Sequence, residues 1–174
     1  MQITDLLRPA LAAVLFALLF WTTAAPANTP ENPQRTSAGL EMEMQAERRV
    51  VTSSSEGAQV EFVAADQLHI GDEIFYTVRV RNATNVAIED VVVIRPVPRN
   101  TEYVADSAVG PAVKISFSID GGATFATRAE LEVATIPGVM RRATTGDYTH
   151  LRWQLRHPLA AGATALLRFR GVFK

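Results

Sequence analysis

The chain has no cysteine. That removes thiol nucleophiles, thiolate metal sites and disulfide staples together, so the fold must be held by its core. Lysine is almost missing as well: Lys114 and Lys174 are the only two, and arginine supplies the rest of 17 basic residues set against 18 acids. The formal net charge of −1 gives no global field that would draw the chain to nucleic acid or to an anionic membrane. Histidine is scarce, with His69, His150 and His157. A G-x-S-x-G elbow and a G-x-x-x-x-G-K phosphate loop are both absent. Past residue 30 there is no long apolar run and no sustained 3.6-residue stripe, which argues against a further membrane span and against a helical domain.

The first residues are a different matter. "MQITDLLRP" carries Arg8, "ALAAVLFALLFW" (10–21) is apolar, and "TTAAPA" follows with small residues at Ala25 and Ala27. That is the order of a secretory signal peptide, expected at 1–27 with cleavage after Ala27. The apolar run is shorter than the roughly 20 residues a bilayer span needs. The remaining chain is expected to be periplasmic or secreted. "NTPENPQRTSAG" (28–39), rich in Pro, Asn and Ser, reads as a flexible leader, and residues 40–174 are the length of one domain.

Within 40–174 the dominant pattern is alternation. "LEMEMQAERRVV" (40–51) puts Leu40, Met42 and Met44 on one side. "DEIFYTVRVRN" (72–82) separates Ile74, Tyr76, Val78 and Val80 from Phe75, Thr77, Arg79 and Arg81. "AQVEFVAA" (58–65), "VAIEDVVVIRPVP" (86–98), "TEYVA" (101–105) and "VKISFSID" (113–120) are shorter strand candidates. "YTHLRWQL" (148–155) places Leu151, Trp153 and Leu155 inward, with Tyr148, His150, Arg152 and Gln154 outward. In "ATALLRFRGVF" (163–173) Ala165, Leu167, Phe169 and Phe173 face the core and Leu166, Arg168 and Arg170 face out. "RHPLAAG" between these two reads as a hairpin loop. The stretch 128–147 lacks alternation and reads as an elaborated loop in which "RAELEVA" could form a short helix. The expected fold is all-β: an immunoglobulin-like antiparallel sandwich of about seven to eight strands in a single domain.

"GDEIFYTVRVRN" (71–82), "VVVIRPVPRNTEYVADSA" (91–108), "SFSIDGGATF" (116–125) and "PLAAGATALLRFRGVF" (158–173), in this order, resemble the immunoglobulin-like conserved repeat of bacterial surface and envelope proteins, domain of unknown function eleven. The resemblance spans roughly residues 60 to 174. It departs at Arg95, where that family often has an acid before the proline, and in showing one copy without an anchoring tail. It implies a free-standing, non-enzymatic structural or protein-interaction module of the envelope, with no cofactor and no catalytic residues.

The residues themselves point the same way. The three histidines do not share a metal-ligand spacing, and no thiolate supplements them. "SIDGGATF" (118–125) offers Asp120 as its one carboxylate, too few for calcium, and Asp-Gly-Gly is turn chemistry. A lysine cross-link would need a buried lysine, which neither Lys114 nor Lys174 promises. One charge pattern remains. If the last two strands form a hairpin, His150 and Arg152 share a face with Arg168 and Arg170. Such a strip is expected either to shield sheet surface with its stems or to bind an anionic envelope glycan or an acidic partner.

Overall fold

The computed structural model describes residues 34–36, 39–54 and 57–174. The segment read as a signal peptide, 1–27, lies outside them. Eleven strands form among the described residues: β1 (Gln34–Thr36), β2 (Leu40–Ser54), β3 (Gly57–Ala64), β4 (Glu73–Asn82), β5 (Val92–Pro96), β6 (Thr101–Tyr103), β7 (Val113–Ser118), β8 (Glu132–Ile136), β9 (Val139–Arg142), β10 (His150–Leu155) and β11 (Thr164–Phe173). A 3-10 turn occupies Thr145–Asp147. No helix among the described residues is long and apolar enough to cross a membrane.

The strands make an all-β, antiparallel, sandwich-like arrangement. The larger sheet runs β1-β2-β4-β11-β6, with β3 attached to β2; the smaller runs β5-β10-β7; β8 and β9 form a separate ribbon. Alternation decides which side chains meet between the two sheets. Ile74, Tyr76, Val78 and Val80 of β4 are buried, as are Ala165, Leu167 and Phe169 of β11 and Leu151, Trp153 and Leu155 of β10. Trp153 lies 5.9 Å from Phe169 across the sandwich, and Phe169 stacks on Tyr76 at 4.7 Å. A second aromatic group, Tyr103, Phe117 and Tyr148, closes one end with centroids 4.6 to 5.8 Å apart. Each fully buried large side chain contributes on the order of 1.5–3 kcal/mol, and without disulfides these clusters carry the fold.

Several expectations need correction. β10 and β11 are not a hairpin: β10 pairs with β5 and β7, and β11 with β4 and β6. The segment between them crosses from one sheet to the other because Leu159 is buried and exchanges both backbone hydrogen bonds with Ile88, at 3.0 and 2.9 Å. Tyr148 is buried rather than outward, since β10 begins only at His150 and Tyr148 follows the 3-10 turn. The 128–147 stretch, expected as an elaborated loop in which "RAELEVA" could form a short helix, instead contains the β8–β9 ribbon, whose register shifts between Ala134 and Ile136. Of 86–98, only Val92–Pro96 is strand. Inside the segment read as leader, Gln34–Thr36 pairs with Leu40–Met42.

The Asp-Gly-Gly stretch is a turn. Gly121 and Gly122 take positive φ of 77° and 89°, which glycine adopts without steric cost. The Asp120 carboxylate accepts from the Ser118 hydroxyl at 2.6 Å, and from the Thr124 N–H at 3.0 Å and its hydroxyl at 2.6 Å. These donors, the Ser118 hydroxyl foremost, hold its pKa far below the usual carboxylate range.

Candidate interaction surface

The four residues proposed as an anion strip are divided between the two sheets. His150 and Arg152 project from the outer face of the smaller sheet, and Arg168 and Arg170 from the outer face of the larger one. Arg152 is half-buried and held in place: its Nε donates to Ser116 Oγ at 2.9 Å, and its guanidinium carbon lies 4.7 Å from the Phe125 ring centroid. The His150 ring sits over the Gly122 turn, with Nδ1 3.2 Å from Thr149 Oγ1. These contacts give both residues a packing role. Lys114 is exposed, and Lys174 pairs with Glu102.

Arg168 and Arg170 have different neighbours from those expected. Across β4 and β11, Arg168 lies opposite Thr77 and Arg170 opposite Phe75. Across β2 and β4, Glu41 lies opposite Arg81, Glu43 opposite Arg79 and Glu47 opposite Phe75. The face is therefore mixed in charge. Arg170 pairs with Glu73 at 2.8 Å and Arg81 with Glu41 at 3.1 Å. Arg79 and Arg168 are exposed and make no ion pair among the described residues.

The same face carries a feature that none of the predicted site residues marked. β2 is 15 residues long, and β4 accompanies it only as far as Arg48. From Arg49 onward β2 continues with β3 alone, paired without a register shift from Glu47–Ala64 to Ser54–Gly57. The result is a two-stranded arm extending beyond the sheet. Val51 lies opposite Val60, and Phe62 opposite Arg49, all on the outer face. Val51 is 49% exposed, Val60 54% and Phe62 49%. At its root Phe62 meets Phe75 edge-on at 5.1 Å. Beside this pair lies a groove of about 340 Å³, lined by Glu47, Phe62, Phe75, Thr77 and Arg168. The groove thus joins an aromatic wall to an exposed guanidinium and a carboxylate.

The arm was partly legible. "AQVEFVAA" (58–65) reads as a strand, and a polar run separates it from 40–51, which alternates only at its start. What alternation does not reveal is that β4 accompanies β2 only as far as Arg48, so that among the described residues no third strand lies beside Val51 and Val60.

Among the described residues, no group of three or more His, Asp or Glu side chains is placed to hold a metal ion. In comparisons with known proteins, no family model, no curated protein and no solved structure matches this chain.

Proposed function

We propose that this chain is an exported, non-enzymatic protein-interaction module of the bacterial envelope, docking through the β2–β3 arm and the adjoining outer face of the larger sheet. The carrying observation is the arm, with Val51, Val60 and Phe62 about half exposed on one side of a ribbon that no third strand supports among the described residues. Contiguous exposed apolar surface of this kind is the usual mark of an interaction site, and an isolated two-stranded ribbon is marginal in water. The signal-peptide pattern at 1–27 supports export, and the resemblance to envelope repeats supports the setting.

The test is affinity capture of the tagged chain from an envelope extract, run beside a Val51→Ser/Phe62→Ser variant. A stoichiometric protein held by the wild type and lost by the variant is the expected result. Equal recovery by both would overturn the assignment of the arm.

A second reading has its own observation. Arg79 and Arg168 are exposed and make no ion pair among the described residues, although Glu43 stands across from Arg79, and their guanidinium forks can hold an anionic envelope glycan on the larger sheet. It predicts that Arg79→Gln/Arg168→Gln releases the chain from an anionic polysaccharide column while Arg152→Gln does not. Unchanged retention of the double variant would eliminate it.

A further inference from the structure

Most strand edges in this molecule are short, blocked or covered. β1 and β6 are three residues each, β5 ends at Pro96, and β7 is flanked by Ala126, which exchanges both backbone hydrogen bonds with Phe117 at 2.9 and 3.1 Å. β3 differs. It is eight residues long, all but Val63 exposed, with no proline, lysine or arginine, no bulge, and Glu61 as its one charge. Those missing features are the ones that usually protect an edge from pairing.

The register fixes which backbone groups β3 offers. Ala65 N–H donates to Ala46 O at 3.1 Å, so residues 46 and 65 are a hydrogen-bonded pair. Such pairs alternate along an antiparallel ladder. Glu61 and Val63 therefore turn their N–H and C=O toward β2, while Ala58, Val60 and Phe62 turn theirs to the edge that no strand pairs among the described residues.

We propose that β3 is the seam of a two-fold symmetric dimer, in which two copies pair antiparallel through this edge about Val60. The partner follows from the strand's self-complementarity. Centring on Val60 sets Val60 opposite the second copy's Val60 and Ala58 opposite its Phe62. All of these are residues whose backbone groups point outward. Glu61 then faces the second copy's Gln59, so like charges are not opposed. Small meets large at Ala58 and Phe62, and Val51 and Val60 of both copies form one apolar row across four strands. The arm gains its missing neighbour. Centring instead on Glu61 would also match outward backbone groups, Val60 with the second copy's Phe62, but it would set Glu61 against the second copy's Glu61, and like charges directly opposite are destabilising. The symmetry is isologous and closes at two copies.

The proposal rests on the arm being the docking surface, and it names the partner. The full chain is followed by sedimentation over a dilution series from concentrated to dilute solution. Dimer that dissociates on dilution is expected for the wild type. Val60→Pro removes an outward N–H and spares the bonds to β2, so it is expected to be monomeric with an unchanged unfolding midpoint. Val51→Pro places the same lesion on the arm's other edge and is expected to remain dimeric. Because the chain has no cysteine, Val60→Cys gives a single thiol. Hydrogen-bonded cross-strand pairs have Cα atoms about 5.5 Å apart, within disulfide reach, so mild oxidation is expected to cross-link Val60→Cys. A monomeric wild type, a dimeric Val60→Pro, or no cross-link through Val60→Cys would each overturn the seam. If the wild type is monomeric yet still captures a protein that the Val51→Ser/Phe62→Ser variant loses, the dimer fails and the interaction module stands. If that capture is also insensitive to the variant, both fail.

Discussion

Asn82 gives the sharpest test of how the two sheets are joined. It is the last residue of β4 and its side chain is completely buried. Its Nδ2 lies 2.7 Å from the Val86 carbonyl, 2.9 Å from that of Leu159 and 3.1 Å from that of Ala160. Its Oδ1 accepts from the Thr84 N–H at 2.9 Å and from the Thr84 hydroxyl at 2.7 Å. One amide thus ties the β4–β5 connection to the segment that carries the chain from β10 to β11. Each bond is worth about 1 kcal/mol net, and a buried carbonyl left without a donor costs about 1–3 kcal/mol. Asn82→Ala should therefore cost about 3–4 kcal/mol. With a urea slope near 2 kcal/mol/M, the midpoint should fall by roughly 1.5–2 M, followed by Trp153 fluorescence. Asn82→Asp keeps the shape but turns an acceptor toward three carbonyls, which favours its protonated form and raises its folded pKa above the ordinary value of about 3.9. Its destabilisation should be largest at pH 7 and shrink toward pH 4. A loss under about 1 kcal/mol for Asn82→Ala, or wild-type stability of Asn82→Asp at pH 7, would refute the staple.

Trp153→Ala should cost about 3–5 kcal/mol in reversible unfolding, the range for truncating a buried aromatic; Trp153→Phe should cost much less, because the indole N–H meets no acceptor among the described residues. Gly171→Ala would place its Cβ 2.2 Å from Thr101 Cγ2 and 3.3 Å from the Glu102 carbonyl oxygen. It should lower the melting temperature, and adding Thr101→Ser, which removes that methyl, should restore much of the loss. Asp147, held low first by the Arg141 fork and then by the Thr144 N–H, and Asp120, held low first by Ser118, have folded pKa values below their unfolded ones. Their stabilisation is complete above the unfolded value of about 4 and is lost as pH falls below it. Urea midpoints from pH 7 down to pH 2.5 should decline accordingly, with a flatter acid limb for Asp147→Asn.

Alternation made β4, β10 and β11 readable from the sequence, because burial on one face leaves a period-two record in each strand. It did not reveal their partners. β10 and β11 look like neighbours joined by an eight-residue hairpin loop, yet the buried Leu159 within it and the Asn82 amide draw that connection across the sandwich. The division of His150 and Arg152 from Arg168 and Arg170 follows from that one event. The β8–β9 ribbon was hidden for another reason: most of its residues are exposed, so no buried face writes a pattern. Tyr148 departs from the alternation because β10 begins two residues later, at His150, so its side chain follows the turn rather than the strand.

The outer face of the larger sheet also accounts for why arginines crowd β4 and β11 without forming a strip of one sign. Glu41 and Glu43 on β2 stand directly opposite Arg81 and Arg79 on β4. Opposite charges at facing positions stabilise an antiparallel pair, and like charges there oppose it. Slipping β2 by one residue would turn Met42 and Met44 to solvent and Glu41 and Glu43 toward the core. A two-residue slip keeps the faces but leaves Arg79 opposite Gln45 in one direction, or Glu43 opposite Thr77 in the other, in place of its partner. The charges and the methionines together hold β2 in one register. That register decides where β4 stops along it, and hence how far the arm beyond Arg48 extends. The exposed apolar face of Val51, Val60 and Phe62 is thus set by pairs at the far end of the same strand.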